Sequence, residues 1–259
     1  MTLPEMRANL YSFRGCTGYL IHPQKTGAAA PIALGHTASV SSWQDGDVHF
    51  HALAEELFIL LQGELRFLVD ETVLGLRSGE MLVVRPSVSH AILDGAGIIE
   101  HFGLRAPAVD DRHSIGQMPS SLPGLSQEEP RELREEWGCR IPLSSDGNQN
   151  CWLLGGGGAR FACDHLALAY DHLQTAEAAA AFRDRDQLHA HTDSWKYSVV
   201  VKGQMTVQVD VRLVTVEAGN LLEVPPGVCH TVRDRQTPFA GFTVRAPLIL
   251  DDSVVCEAA

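Results

Sequence analysis

The 259-residue sequence has little basic charge and no long uninterrupted hydrophobic run. It contains 20 lysines and arginines against 32 aspartates and glutamates, a formal net charge of −12, and no segment rich in lysine or arginine. Because an acidic surface repels phosphate backbones, we expect no nucleic-acid partner. No apolar stretch approaches about 18 residues, and Glu5, Arg7 and Arg14 interrupt the amino terminus. We therefore expect no membrane span, no secretion signal and a cytoplasmic location.

Cysteine is also scarce, and several catalytic motifs are missing. The six cysteines include no Cys-x-x-Cys pair, which is typical of reduced thiols rather than a disulfide framework. Cys229 is expected to be a buried core cysteine. The four glycines at 155–158 are not followed by Gly-Lys-Ser/Thr, which argues against a phosphate loop. The absence of Gly-x-Ser-x-Gly and of His-Glu-x-x-His argues against a serine hydrolase and a zincin.

The second half of the chain repeats the first. Adding 140 to a residue number aligns residues 49–107 with 189–247 without a gap and gives 16 identities in 59 positions. The identities include three histidines, two glycines and the tripeptide Arg-Ala-Pro, residue types that chance would not select together. The sequence therefore predicts two copies of one domain, over residues 1–112 and 145–259, joined by a linker over 113–144.

Each copy shows short apolar segments punctuated by glycine and proline, which predict strands. The clearest are Glu64–Val69, Glu80–Val84, Met205–Val209 and Leu221–Val224. Many short strands at regular spacing indicate a β-sandwich or barrel. Helix signals are few: a capping-box pattern at 126–129 predicts a short helix in the linker that continues to Trp137, and the alanine-rich segment 175–182 predicts another.

Four residues of the first copy have the chemistry and spacing of a metal site. On a strand, residues i and i+2 point to the same side about 7 Å apart, so His49 and His51 can aim both imidazoles at one point. A carboxylate on the next strand and a third histidine, His90, can complete a mixed nitrogen and oxygen ligand set. Such a set suits divalent iron, manganese, cobalt, nickel, copper or zinc.

These residues resemble the two motifs of the cupin superfamily. The first copy reads His49-x-His51-x4-Glu56-x6-Gly63, in which Glu56 rather than Glu55 fits the spacing to the glycine. The second copy contains the complete second motif, Gly219-x5-Pro225-x-Gly227-x2-His230. In the first copy Arg85 and Ser87 replace the proline and inner glycine, and no glycine lies five residues before the first histidine.

The resemblance covers nearly all of both copies and implies an all-β, two-domain cupin. Each domain would be a double-stranded β-helix, or jelly-roll barrel, with a short helical connection between them. By the same resemblance the metal ligands are His49, His51, Glu56 and His90. Iron is the favoured metal, with manganese, nickel, cobalt, copper or zinc as alternatives.

The second copy departs from the pattern at one ligand. His189, His191 and His230 keep the three histidines, but Lys196 takes the glutamate position. A protonated lysine pointing inward would oppose a cation. Three outcomes stay open: a three-histidine metal site with Lys196 turned away, a lysine that replaces the metal and holds an anion, or a surface lysine in a domain that has lost its site. A lysine base or Schiff base is a fourth and weaker reading.

Other polar residues receive plainer interpretations. Arg105 and Arg245, from the repeated Arg-Ala-Pro, are expected to form structural ion pairs, and an anion clamp for a substrate is the alternative. The six histidines outside the motifs are interpreted as structural: His22, His36, His101, His113, His165 and His172. Four apolar residues are expected to keep the first cavity dry: Phe50, Phe58, Leu60 and Phe67.

The resulting functional expectation is a metal-dependent oxygenase of a small organic molecule, resembling quercetin-type dioxygenases. Glu56 would act both as a ligand and as a base. The first alternative is an isomerase, cyclase or lyase that uses the metal as a Lewis acid, because fold alone does not choose among these activities. The second is a non-catalytic binder of a small molecule or metal. We expect a small-molecule substrate as partner and allow for a homodimer.

Overall fold

The computed structural model describes residues 8–26, 30–41, 43–117, 133–143, 148–156, 158–183 and 187–256. The chain consists mainly of strands, and the described residues contain two short helices, α1 (Pro23–Thr26) and α2 (Ala176–Arg183). The strands are β1 (Asn9–Ser12), β2 (Gly18–Ile21), β3 (Ala33–Val40), β4 (Asp47–His51), β5 (Glu55–Val69), β6 (Thr72–Arg77), β7 (Glu80–Val84), β8 (His90–Ala106), β9 (Arg112–Gln117), β10 (Gly138–Pro142), β11 (Gln149–Gly155), β12 (Phe161–Ala162), β13 (Ala167–Leu173), β14 (His189–His191), β15 (Trp195–Val209), β16 (Arg212–Glu217), β17 (Asn220–Val224), β18 (His230–Ala246) and β19 (Ser253–Val255). Neither described helix is long or apolar enough to cross a bilayer.

The strands form two compact units whose boundaries differ from the predicted ones. The N-terminal barrel comprises Gly15–Leu143, and the C-terminal barrel comprises Met1–Arg14 together with Ser144–Ala259. Strand β1 pairs antiparallel with β17 of the C-terminal barrel, and β10, placed in the linker by the prediction, pairs with β7 of the N-terminal barrel. Each barrel thus takes one edge strand from outside its sequence repeat, which a repeat search cannot detect.

The two predicted helices have different outcomes. The alanine-rich helix is confirmed as α2, whose first turn is capped by Thr175, since its Oγ1 accepts a hydrogen bond from the Ala178 N–H at 3.3 Å. The capping-box segment at 126–129 lies outside the described residues. The described end of the proposed linker helix, 135–137, is a turn closed by the Trp137 N–H on the Arg134 carbonyl at 2.9 Å.

The structure confirms the internal repeat strand by strand and the all-β jelly-roll fold. Strands β5, β6, β7 and β8 recur 140 residues later as β15, β16, β17 and β18 with identical lengths. In both barrels the long central pair, β5 with β8 and β15 with β18, is antiparallel and carries register shifts at equivalent positions. The four predicted strands fall within β5, β7, β15 and β17.

A register shift between Leu60 and Gln62, just before Gly63, keeps the apolar side of β5 inward. Phe58 and Leu60 face the core before the shift, and Leu65, Phe67 and Val69 face it afterwards, so the inserted residue reverses the alternation. Gly63 has φ +85°, and a Cβ there would lie 2.7 Å from the Ile98 carbonyl oxygen. The motif glycine is therefore required by the backbone.

The structure contradicts the prediction that all six cysteines are free. Cys229 forms a disulfide with Cys256 and is not a core thiol. The two residues are 27 positions apart but flank the same strand: His189 of β14 pairs with His230, next to Cys229, and with Val255, next to Cys256. Spacing along the chain does not reveal such a pair. The other four cysteines, all among the described residues, form no disulfide.

Candidate metal centre

The N-terminal barrel brings the four predicted ligands together. Strand β4 carries His49 and His51 on one side, and β8 begins at His90, which pairs with His49 across the sheet. Glu56, the second residue of β5, lies at the centre of the three imidazoles: its Oε2 is 2.8 Å from Nε2 of His90, 3.1 Å from Nε2 of His51 and 3.7 Å from Nε2 of His49. One ligand atom from each residue lies within 4.8 Å of the others.

The outer nitrogen of each imidazole is held by a second partner. Nδ1 of His90 donates to the Val88 carbonyl at 2.9 Å, and Nδ1 of His49 lies 3.4 Å from the Asp47 carbonyl. Nδ1 of His51 lies 3.0 Å from Oδ1 of Asp111. A proton on Nδ1 leaves the Nε2 lone pair directed at the shared point, which is the tautomer that a metal needs. The four residues therefore fit a divalent transition metal.

Asp111 is a functional residue that the motif analysis missed. Besides His51, its carboxylate accepts the backbone N–H groups of Leu53 at 2.8 Å and Ala54 at 2.9 Å. Burial raises the pKa of Asp111, but these hydrogen bonds and His51 outweigh it and hold the pKa below its usual value. Asp252 has the same role toward His191, at 3.0 Å. One sequence signal could have identified both aspartates: an Asp-Asp pair follows each Arg-Ala-Pro tripeptide. The two pairs are 141 positions apart, whereas the repeat is 140 positions long, so the gapless alignment does not match them.

Charge in the site is concentrated on Glu56. Burial raises the pKa of Glu56, but hydrogen bonds from His49, His51 and His90 outweigh burial and bring the pKa well below its usual value. Burial lowers the pKa of His90, but Glu56 more than offsets this and the pKa is raised. Glu56 is thus an anion inside the barrel, which is the state required of a metal ligand.

The neighbouring carboxylate, Glu55, has a different role. Its side chain is 1% exposed, and Oε1 lies 2.7 Å from Nη1 of Arg85, the residue that replaces the motif proline. The prediction that Glu56 rather than Glu55 faces the histidines is therefore consistent with the geometry. Ser87, in place of the motif glycine, keeps the glycine conformation, with φ +65° against +74° at Gly227. The Ser87 N–H donates to the His51 carbonyl at 2.6 Å, so the turn beneath the ligands is preserved.

A cavity of about 290 Å³ opens beside His49 and Glu56. Phe58, Ile92 and Leu104 line it on the apolar side. Asp45 also lines it, accepting the Ile92 N–H on Oδ2 at 2.6 Å. Burial raises the pKa of Asp45, against the effect of that hydrogen bond and of His49.

Several side chains of the cavity differ from their sequence interpretation. His36 and His101, interpreted as structural, both line the cavity. The structural interpretation nevertheless suits His36, whose Nδ1 lies 2.8 Å from the Cys16 carbonyl and whose Nε2 lies 3.1 Å from Oε1 of Glu100. Phe50, expected to keep the cavity dry, instead stacks on His113 with ring centroids 5.0 Å apart, because strand alternation turns it away from the two motif histidines. The other three predicted apolar residues are buried in the core of this barrel: Phe58, Leu60 and Phe67.

The C-terminal barrel assembles His189, His191 and His230 in the same way. Their Nε2 side converges within 4.8 Å, and Nδ1 of His230 donates to the Val228 carbonyl at 2.9 Å. Burial lowers the pKa of His191 to about 4 and that of His230 to about 2, and the charge of Lys196 contributes to both shifts. Lys196 pairs with Arg245 as Glu56 pairs with Arg105, so it occupies the strand position that faces the histidines, which disfavours the interpretation as a surface lysine.

Comparisons with known proteins agree with this architecture. Residues 183–239 match the family model described as "Cupin domain". No curated protein sequence matches the chain significantly. Among solved structures, protein Ylba from E. coli aligns with a TM-score of 0.61 and 12% identity, over 93% of this chain and 90% of that one.

Two other similar structures are enzymes by name. A variant of the Bacillus subtilis oxalate decarboxylase aligns with a TM-score of 0.61 and 12% identity, over 98% of this chain and 80% of that one. A variant of the salicylate 1,2-dioxygenase from Pseudoaminobacter salicylatoxidans aligns with a TM-score of 0.62 and 12% identity, over 95% and 86%. At such identities the likeness concerns the fold alone. The sequence match to the cupin domain lies in the second repeat, and the likeness of the whole chain to these structures is one of fold, two tandem jelly-roll barrels.

Proposed function

We propose that this protein is a metal-dependent oxygenase that acts on a small organic substrate in the N-terminal barrel. One observation carries the proposal: three imidazole nitrogens and one carboxylate oxygen converge within 4.8 Å beside a cavity of about 290 Å³. The residues that would hold the metal are His49, His51, Glu56 and His90. Iron is the favoured metal, and manganese, nickel, cobalt, copper or zinc fit the same donors.

When bound, the metal supplies a Lewis acid and, if it is iron, a redox centre. The protein residues prepare the site around it. A metal held by these four residues would keep coordination positions available for small molecules. Asp111 fixes the His51 ring through Nδ1, and Glu56 offsets part of the metal charge and can accept a substrate proton. Phe58 and Ile92 exclude water from one side of the cavity.

A Lewis-acid isomerase, cyclase or lyase is the second candidate, and Asp45 favours it. The carboxyl of Asp45 lines the cavity, and burial raises its pKa, so it is suited to give or take a proton without any oxidant. The fold accommodates both kinds of chemistry, since the similar structures include an oxalate decarboxylase and a salicylate 1,2-dioxygenase. Fold alone does not decide between them.

The metal assignment is tested by elemental analysis of protein purified without added metal. Replacing His49 and His51 together by alanine is expected to remove most of the metal bound to the N-terminal barrel. The matched control replaces His189 and His191, the equivalent pair of the C-terminal barrel. Unchanged metal content after the first double substitution would show that these histidines are not ligands.

The reaction class is tested by oxygen consumption. The iron-loaded protein is screened with a panel of small organic substrates in an oxygen electrode and, in parallel, under nitrogen. Product formed only with matched oxygen uptake supports the oxygenase. Product formed equally under nitrogen supports the Lewis-acid alternative, and ligand binding without any product supports a non-catalytic binder.

A further inference from the structure

Arg105 lies beside the metal centre, on the same face of the sheet as Glu56. The two residues are direct partners between β8 and β5, so their side chains project to the same side. Because Glu56 points at the motif histidines, Arg105 also faces the barrel interior. Accordingly, it lines the cavity together with His49 and Glu56.

Of the two arginines that line the cavity, only Arg112 has a carboxylate partner among the described residues. Arg112 forms an ion pair with Asp47 through both terminal nitrogens. Arg105 has no such ion pair, and its Nε is buried without a hydrogen-bond partner in the described part of the chain. A half-buried arginine without a carboxylate partner favours an anion, because Arg presents a planar fork that matches a carboxylate.

The equivalent arginine of the other barrel is compensated within the protein. Nη1 of Arg245 lies 3.4 Å from Oδ1 of Asp252, the residue that also orients His191. Its Nε, like that of Arg105, is buried without a hydrogen-bond partner in the described part of the chain, so the two arginines differ in their carboxylate partner and not at Nε. The predicted structural ion pair is therefore present for Arg245. For Arg105 the sequence alternative, an anion clamp, is the better interpretation of the geometry.

The strand that carries Arg105 also leaves room for a ligand. Alternate residues of β8 on this face are His101, Gly103 and Arg105, and all three line the cavity. A Cβ at Gly103 would meet no atom within 4 Å. In the C-terminal barrel the equivalent position is Thr243, whose Oγ1 lies 3.5 Å from Oγ of Ser198. In the N-terminal barrel, space is thus open beside Gly103, between the side chains of His101 and Arg105.

His101 provides a second polar group at the other end of this space. Its side chain is 4% exposed, and Nδ1 is buried without a hydrogen-bond partner among the described residues. Burial, with a contribution from His36, lowers the pKa of His101 to about 4, so the ring is neutral near neutral pH. A neutral imidazole can donate one hydrogen bond to a ligand hydroxyl or carbonyl, or accept one from it.

Resting on the proposed function, we propose that the substrate of the N-terminal barrel is a small organic acid, whose carboxylate binds Arg105 and whose body lies over Gly103 between His101 and the motif histidines. The cavity of about 290 Å³ restricts the acid to a small one, since ligand cavities commonly reach roughly 300–1,000 Å³.

The experiment compares acids with their neutral amides on the metal-containing protein. Acetate, oxalate, benzoate and 2-hydroxybenzoate are titrated against the corresponding amides by calorimetry, and metal content is measured on every sample. At least one acid is expected to bind in preference to its amide. Arg105→Gln is expected to weaken the binding of that acid by at least about tenfold and to leave the binding of the amide unchanged. Arg105→Lys keeps the charge without the planar guanidinium, so its affinity for the acid should lie between those of wild type and Arg105→Gln.

Arg245→Gln is the matched control in the C-terminal barrel and should not change acid binding. If Arg105→Gln misfolds or loses metal, the comparison rests on Arg105→Lys. Acid binding that is insensitive to Arg105, or no preference for any acid over its amide, would overturn the proposal while leaving the metal assignment intact. A wrong metal assignment would be detected by a different measurement, because the metal content would then stay unchanged after replacement of His49 and His51.

Discussion

Glu56 and Lys196 occupy the same position in their two barrels and carry opposite charges. Each is the second residue of a 15-residue strand, and Glu56 pairs with Val84 and Arg105 as Lys196 pairs with Val224 and Arg245. The pKa values of the histidines beside them shift in opposite directions. Burial acts on both, yet Glu56 raises the pKa of His90 whereas Lys196 helps to lower the pKa of His230.

Asp111→Asn is expected to weaken metal binding in the N-terminal barrel. The substitution keeps the size of the side chain but removes the carboxylate that holds Nδ1 of His51. Loss of such an outer partner commonly costs about 10–100-fold in metal affinity. Competition with a chromogenic chelator measures the dissociation constant. The matched control is Asp252→Asn, which changes the same contact to His191 in the other barrel. Equal metal affinity of the N-terminal site in wild type and in Asp111→Asn would contradict the role assigned to Asp111.

Arg85→Ala is expected to destabilise the N-terminal barrel by roughly 3 kcal/mol, because it removes the ion-pair partner of the buried Glu55 carboxylate. Urea denaturation at pH 7 measures the change in the free energy of unfolding. Adding Glu55→Gln to this variant should recover part of the loss, since the buried charge is then gone. The exposed pair of Arg66 and Asp94 is the control, and Arg66→Ala should cost less than about 1 kcal/mol. Similar costs for both arginines would contradict the importance of burial.

Acidification is expected to destabilise the protein through His101. Its pKa is about 4 in the folded chain against about 6.5 when unfolded, so below pH 6.5 the unfolded state binds more protons. The stability that His101 contributes is complete above about pH 6.5 and is lost as the pH falls toward about 4. Between pH 7 and pH 5 the loss is about 2 kcal/mol.

Urea denaturation of wild type and of His101→Phe at both pH values isolates this contribution. Phenylalanine cannot titrate and suits the neighbouring rings of Trp43 and Phe58, so the variant should lose about 2 kcal/mol less than wild type on acidification. His113→Phe changes an exposed histidine and should follow wild type. An identical pH dependence in wild type and His101→Phe would mean that His101 is not buried as described.

The sequence predicted those features that are encoded locally or by the repeat. Alternation with an i, i+2 histidine pair located His49 and His51, and the constant offset of 140 transferred the strands and histidines to the second copy. Spacing to Gly63 also selected Glu56 over Glu55 as the residue that faces the histidines. These patterns succeed because strand periodicity and a backbone-restricted glycine are properties of a few consecutive residues.

What the sequence did not reveal depends on pairing between distant strands. The edge strand β1 joins β17, and Cys229 meets Cys256 only because β14 lies between β18 and β19. The cavity role of His101 depends on which strands surround it, since no motif marks that residue. Non-local contacts of this kind leave no periodic signal, which is why the predicted domain boundaries at 112 and 145 differ from those of the two units.

Lys196→Glu is expected to raise the metal affinity of the C-terminal barrel. The substitution restores a carboxylate at the position equivalent to Glu56 and removes a cation that lies close to His191 and His230. Because the local charge changes by two units, the gain should exceed roughly 1 kcal/mol even after screening, or about fivefold in affinity. Titration with Fe(II), Mn(II) or Zn(II) measures it, with the N-terminal site silenced by His49→Ala and His51→Ala.

Lys196→Gln separates the two causes of this gain. It removes the cation without supplying a ligand, so its affinity should lie between those of wild type and Lys196→Glu. The reciprocal substitution, Glu56→Lys, should abolish metal binding in the N-terminal barrel, because it places a cation where the buried Glu56 carboxylate meets three imidazoles. If Lys196→Glu and wild type bind metal equally, then charge at this strand position does not control the site, and the three histidines of the C-terminal barrel must be limited by their own geometry.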